Sequence, residues 1–181
     1  MKKALQIAKW LLILLLGFVA TVFITAQFLP TQTNITRKII IDKPVGIPFA
    51  QIGIFSEWYD WSTWDLIDPA ITRSDDGNGL TVGHHREWNS PAQGGKGWQT
   101  ITAIDSNKQI KMDIAIGENG VAHEIFNFKV IDSAKTEIAW TMEVPHTSAI
   151  ERVFGYFFFE KMIAPDFENG LQNLKAKCEK M

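Results

Sequence analysis

The chain has 181 residues, with 18 basic and 20 acidic side chains and a single cysteine. One cysteine excludes a disulfide framework and a cysteine-built zinc cluster. The first thirty residues hold three lysines and no acid, so the remainder carries 15 basic and 20 acidic groups, net −5, a balance that argues against nucleic acid as a partner.

Residues 10–29, WLLILLLGFVATVFITAQFL, are uncharged. At ~1.5 Å per residue this run matches the roughly 30 Å of bilayer hydrocarbon. It exceeds the ~7–15-residue apolar core of a cleaved signal peptide. Residues 1–30 therefore read as an uncleaved transmembrane signal anchor, and residues 31–181 as one domain of about 150 residues with room for a real core. Lys2, Lys3, Lys9 and the terminal amine favour a cytoplasmic amino end and a periplasmic or extracellular domain. Arg37, Lys38 and Lys43 on the far side weaken that bias.

The segment NITRKIIID (34–42) predicts a strand from its β-branched residues. Phe49, Ile52 and Phe55 in IPFAQIGIFSEW (47–58) share one helical face and predict a short helix. In SEWYDWSTWD (56–65) Trp58, Trp61 and Trp64 recur at i, i+3 and i+6, so an aromatic face should pack under the sheet while Glu57, Asp60 and Thr63 face away. Asp68-Pro69 closes this corner. Strand signals follow in AITRSD, LTVGHHREW, KGWQTITAID, KQIKMDIAIG, VAHEIFNFKVID and TEIAWTMEV. Their connections carry Gly, Asn, Asp and Ser, among them DGNG, SN and ENG, which predicts an antiparallel meander.

The alternation is one-sided. Ile110, Met112, Ile114 and Ile116 oppose Lys111 and Asp113; Phe126, Phe128 and Val130 oppose Asn127 and Lys129; Ile138, Trp140, Met142 and Val144 oppose Glu137, Thr141 and Glu143. One sheet face is apolar and the other wet. The carboxy-terminal stretch reads as a long amphipathic helix covering that face, with Phe154, Phe158 and Met162 on one stripe and Phe167, Leu171, Leu174 and Cys178 on another. Pro165 should kink it.

The order of strand, short helices, meander and long helix resembles the helix-grip fold of the SRPBCC (Bet v 1/START-like) superfamily. IIIDKPVGIPFAQI is similar to that superfamily's first strand and following helix, WYDWSTWDLIDP to its tryptophan corner, and KMIAPDFENGLQNLK to the carboxy-terminal signature of the polyketide cyclase/dehydrase-like branch. Thr63 departs from that pattern, where proline is common. The resemblance covers residues 34–178. It implies an α+β fold with a curved antiparallel sheet wrapped on the long helix, and a cavity between the two that takes lipids, sterols, polyketides or other apolar molecules. A few members are enzymes, so the name is no evidence of catalysis here.

The residues expected at such a cavity are Trp61, His84, Arg86, Trp88, Met112, Glu124, Phe126, Phe128, Trp140, Met142, Phe154 and Phe158. The same aromatics could instead fill the space. Val82, His84, Arg86 and Trp88 share one face of a strand, and Glu124 shares its face with Phe126 and Phe128. His84, Arg86 and Glu124 would then bring polar groups into an apolar site to orient a head group or move a proton. An Arg86–Glu124 pair at the rim, or a one-residue slip turning the set outward, is the bland alternative. No residue is assigned a catalytic role, and no metal or cofactor is expected: the four histidines are scattered, and GGKG (94–97) lacks P-loop spacing. The expected function is membrane-anchored binding of a hydrophobic or lipid-like small molecule. The rivals are an enzyme acting on a hydrophobic substrate, or an interaction module with a vestigial cavity.

Overall fold

The computed structural model describes residues 2–77, 79–93, 95–117 and 120–181. The expected DGNG and ENG turns and the GGKG loop fall partly outside them, at Asn78, Glu118, Asn119 and Gly94. The chain forms two compact units, Met1–Thr33 with Pro145–Glu160, and Asn34–Val144 with Lys161–Met181.

The larger unit is built on a seven-stranded antiparallel sheet in the order β1-β7-β6-β5-β4-β3-β2. Its strands are β1 (Gln32–Ile41), β2 (Thr72–Asp75), β3 (His85–Ser90), β4 (Gly95–Asp105), β5 (Gln109–Ile116), β6 (Val121–Asp132) and β7 (Lys135–Pro145). Alternation places Met112, Glu124 and Met142 in one cross-strand row and Ile110, Phe126 and Trp140 in the next. The SN turn joins β4 to β5 with Asn107 in the left-handed region at φ 58°. A bulge between Ile101 and Ala103 shifts the register, so that Ile104 pairs with Ile110. At the margins the apolar stripe runs out: Ile116 and Val130 are exposed.

The strand expected over LTVGHHREW begins only at His85. Gly83 takes φ 90° and the preceding residues form a turn, which leaves Val82 exposed rather than on a shared strand face. The single helix expected over 47–58 is divided by an extended Ile54 into α2 (Gly46–Gly53) and α3 (Phe55–Trp58). A third short helix, α4 (Thr63–Ile67), starts at the cap residue Ser62. Thr63 does not face away: it is buried, and its hydroxyl donates to the Asp166 carbonyl at 2.9 Å. Glu57 and Asp60 do point outward and hold Lys177 at 2.7 and 3.0 Å.

The apolar face is covered by α6 (Glu160–Lys180), which buries Phe167, Leu171, Leu174 and Cys178. Trp140 stands at the centre. It stacks on Phe167 at 4.1 Å and on Phe126 at 5.0 Å, and meets the edges of Trp58, Trp61 and Trp64 at about 6 Å. The buried indoles of Trp58 and Trp61 donate to the carbonyls of Ile52 and Gln51 at 2.7 and 3.2 Å, so the corner is pinned by its polar edges as well as packed.

In the smaller unit, α1 (Lys2–Ala26) groups with α5 (Ala149–Phe154). Val22, Thr25 and Ala26 are the less exposed side of α1, at helical spacing. The helix that follows Ser148 is not one regular helix: α5 passes into a π-helical turn over Gly155–Phe159 before α6. Helical irregularity thus falls upstream of Pro165, which lies inside α6.

Two residues that share an aromatic identity should separate on mutation. Phe167→Ala removes a fully buried ring and should cost about 3–5 kcal/mol, whereas Phe158→Ala, at a position 58% exposed, should stay within about 0.5 kcal/mol; urea unfolding of the full chain measures both.

Candidate functional site

The sheet face is not apolar throughout. At the end formed by β3, β4 and β6, four polar side chains are buried together: Arg86, Gln99, Glu124 and Asp65. Arg86 pairs across the strands with Gln99, and its Nε donates to the Gln99 Oε1 at 2.9 Å. The Gln99 amide in turn donates to Glu124 and, at 3.3 Å, to the Met112 sulfur. The second oxygen of Glu124 accepts the Trp140 indole N–H at 3.1 Å. Arg86 Nη1 reaches Asp65 at 3.1 Å, and Asp65 also accepts Arg73 Nε at 2.8 Å. A continuous chain of bonds therefore runs Arg73–Asp65–Arg86–Gln99–Glu124–Trp140.

Each link has a local cause. Ser62 caps α4 by accepting the Asp65 N–H, and this first turn aims Asp65 at the sheet. The Arg86 guanidinium lies over Trp58 at 4.6 Å and over Phe55 and Trp88 at 5.2 Å, an aromatic surround that suits a weakly hydrated cation. Trp88 crosses β4 because its partner there is Gly97: a Cβ at that position would sit 2.4 Å from the indole and 2.8 Å from the Ala115 carbonyl oxygen.

These groups border a cavity of about 340 Å³. Its wall joins Trp58, Trp64, Ile67, Ile71, Trp88, Ile114, Ile116, Met142 and Ile163 to the polar Ser62, Asp65, Arg86, Glu124 and Asp166. Burial pushes the Glu124 carboxyl up to about 7, against the pull of Arg86 and of the Trp140 and Gln99 hydrogen bonds. Burial also raises Asp166 above the ordinary aspartate range.

Of the residues expected at a cavity, Arg86, Trp88, Glu124 and Met142 border this one. Trp61, Met112, Phe126, Phe128 and Trp140 are buried in the packed core behind it. His84 is buried but aims elsewhere: its Nε2 meets Asp75 at 2.7 Å and Asp76 at 3.4 Å, and its ring lies on Phe55 at 4.5 Å. It closes the β2–β3 hairpin rather than joining Arg86 and Glu124. Asp75, Asp76 and His84 could offer three metal-ligand atoms within 4.8 Å of one another, but the His84–Asp75 contact already gives the group a structural use. Phe154 and Phe158 belong to the smaller unit and are exposed.

Sequence reasoning passed over Asp65, Gln99 and Asp166. Gln99 was detectable: it alternates with Gly97 and Ile101 on the buried face of β4. Asp65 carried the Ser-x-x-Asp signature of a helix start.

Glu124 makes stability pH-dependent in a definite direction. Its carboxyl titrates near 7 when folded, above the 4.5 of the free group, so between those values the folded state holds a proton that the unfolded state lacks. Stability should fall as pH rises through this window, by up to about 1.4 kcal/mol per pH unit. Glu124→Gln should remove this contribution, so that the variant loses less stability than the unmodified chain as pH rises through the window; denaturation midpoints at several pH values read the difference directly.

No functionally curated protein matches the chain. Among solved structures, a Chromobacterium violaceum protein aligns with TM-score 0.59 at 11% identity, covering 81% of this chain and 98% of its own. A Nitrosospira multiformis protein gives 0.56 at 16% identity over 80% and 94%. A Rhizobium leguminosarum protein gives 0.57 at 13% identity over 84% and 100%. At these identities they share the fold alone. The family model described as "Polyketide cyclase / dehydrase and lipid transport" spans residues 32–179, and the chain belongs to that family.

Proposed function

We propose that residues 31–181 act as one domain that binds an apolar or lipid-like small molecule in the cavity bordered by Arg86, Trp88, Glu124 and Met142, and that residues 10–29 tether it to a membrane. The observation that carries this reading is that the large aromatics complete a packed core at Trp140 and still leave about 340 Å³ beside it, within the roughly 300–1,000 Å³ of small-molecule sites. The wall is mostly apolar, with Ser62, Asp65, Arg86 and Glu124 joined in one hydrogen-bonded chain, which suits a ligand with an apolar body and one hydrogen-bonding end. The family description, which includes lipid transport, points the same way. The tether rests on α1, whose window from Lys3 to Ala26 is long and apolar enough to cross a membrane. Its lysines favour a cytoplasmic amino end and a periplasmic or extracellular domain.

One observation favours a second reading, acid–base catalysis on a hydrophobic substrate. A carboxyl titrating near 7 on a cavity wall can both give and take a proton at neutral pH. The two readings part at Glu124→Gln, which under catalysis abolishes turnover while leaving ligand affinity within a few-fold.

Binding is testable with a dansyl-labelled fatty acid. Ile114→Trp places an indole in the cavity and should weaken binding about tenfold or more with the melting temperature retained. Arg86→Ala should weaken it further if the polar end of the probe meets Arg86. Unchanged affinity in both variants rejects the cavity as the binding site. For orientation, an alkaline phosphatase fused after Met181 should be active in a bacterial host; an inactive fusion with an active cytoplasmic reporter at the same position reverses the topology.

A further inference from the structure

The segment from Val153 to Phe159 contains no charged side chain, and four of its seven residues are phenylalanine with a tyrosine beside them. A helix that is apolar all round belongs inside a protein or inside lipid. Here the protein does not cover it: Phe154, Tyr156, Phe157 and Phe158 are 44, 59, 45 and 58% exposed, and Ile150, one turn earlier, is 69% exposed. The exposed residues lie on several sides of the segment, so α1 covers only one of them. Ile150, Val153, Phe154 and Phe158 share a groove with Phe18, Val19, Val22 and Phe23 of α1.

That groove fixes the depth. Phe23 and Phe18 stand three and eight residues before the end of α1 at Ala26, about 5 and 12 Å along its axis. Whatever solvates this half of α1 also solvates the segment packed on it. The backbone is suited to lipid, where unsatisfied N–H groups are costly. Ser148 and Glu151 form a capping box that closes the start of α5, and the π-helical turn keeps the hydrogen bonds of Gly155–Phe159 internal. A polar clasp marks the other side. Thr33 and His146 meet at 2.7 Å, and Gly155 packs so closely that a Cβ there would sit 2.1 Å from His146 Nε2 and 2.8 Å from Thr33 Oγ1.

We propose that residues 153–159 are a second membrane contact, immersed among the acyl chains of the leaflet that houses the carboxy-terminal half of α1, with Glu151 and Arg152 at its headgroup end. Measured from the end of α1, this range of about 5–12 Å overlaps the roughly 5–10 Å to which helices lying in the bilayer interface sink. This inference rests on α1 being membrane-embedded, and the test separates the two. Cys178 is fully buried with its thiol pushed up to about 11, so a cysteine placed elsewhere takes a fluorophore selectively. Full-length Leu14→Cys, Phe157→Cys and Lys129→Cys proteins, each carrying an NBD group, are reconstituted in phosphatidylcholine vesicles containing lipids with nitroxide-bearing acyl chains. Quenching at positions 14 and 157, each at least about twofold above that at 129, is the expected result for a segment at this depth. Quenching at 14 with position 157 matching 129 overturns the inference and leaves the anchor intact. No quenching at 14 overturns the anchor and the inference together. Position 157 unquenched by lipid but showing energy transfer between labelled copies assigns the segment to a second copy of the chain, and so overturns the inference.

Discussion

A sheet with one apolar face must be covered, and the larger unit is organised by that requirement. Alternation along β5, β6 and β7 sends Ile110, Met112, Phe126, Phe128, Ile138 and Trp140 to the same side. Helix α6 answers with Phe167, Leu171, Leu174 and Cys178 at i, i+4, i+7 and i+11. Trp140, stacked between Phe126 and Phe167, is where sheet and helix meet, and Trp58 and Trp61 bring the short-helix corner into the same contact. Most of the favourable free energy of the unit is this apolar burial.

The same face changes character toward β3. Arg86, Gln99 and Glu124 occupy positions where the pattern calls for aliphatic residues, and Asp65 joins them from α4. A set of buried polar groups is tolerable only when its members satisfy one another, and they do. An apolar lining there would have given a simpler core. A costly polar chain beside an open cavity is the feature on which the proposed binding role rests. The carboxyl of Glu124 records the cost, since burial holds it near 7.

The strand meander was legible in the sequence because period-two alternation is strong where one face is wet: β6 begins and ends where VAHEIFNFKVID does. The start of β3 was not, because LTV has strand propensity while Gly83, at φ 90°, turns the chain before His85. Arg86 and Glu124 were legible as polar residues in apolar stripes. His84, although on the same parity as Arg86, was claimed by Asp75 and Asp76 across the hairpin, a tertiary choice that spacing does not encode. Phe154 and Phe158 share a stripe on a helical wheel, but a π turn intervenes and the residues belong to the other unit. Helical periodicity tells which residues share a face, not what that face meets.

The central claim is that the cavity bordered by Arg86, Trp88, Glu124 and Met142 is occupied by an apolar molecule when the protein works. Methionine methyl groups report on it directly. Met142 borders the cavity, Met112 lies in the packed core and Met181 is exposed at the carboxy end. In carbon-13 methyl spectra of the full chain titrated with an unlabelled fatty acid, the account predicts that the Met142 resonance shifts, with contacts from ligand to methyl, while Met181 stays in place. A shift confined to Met181, or none at all at saturating ligand, would contradict it.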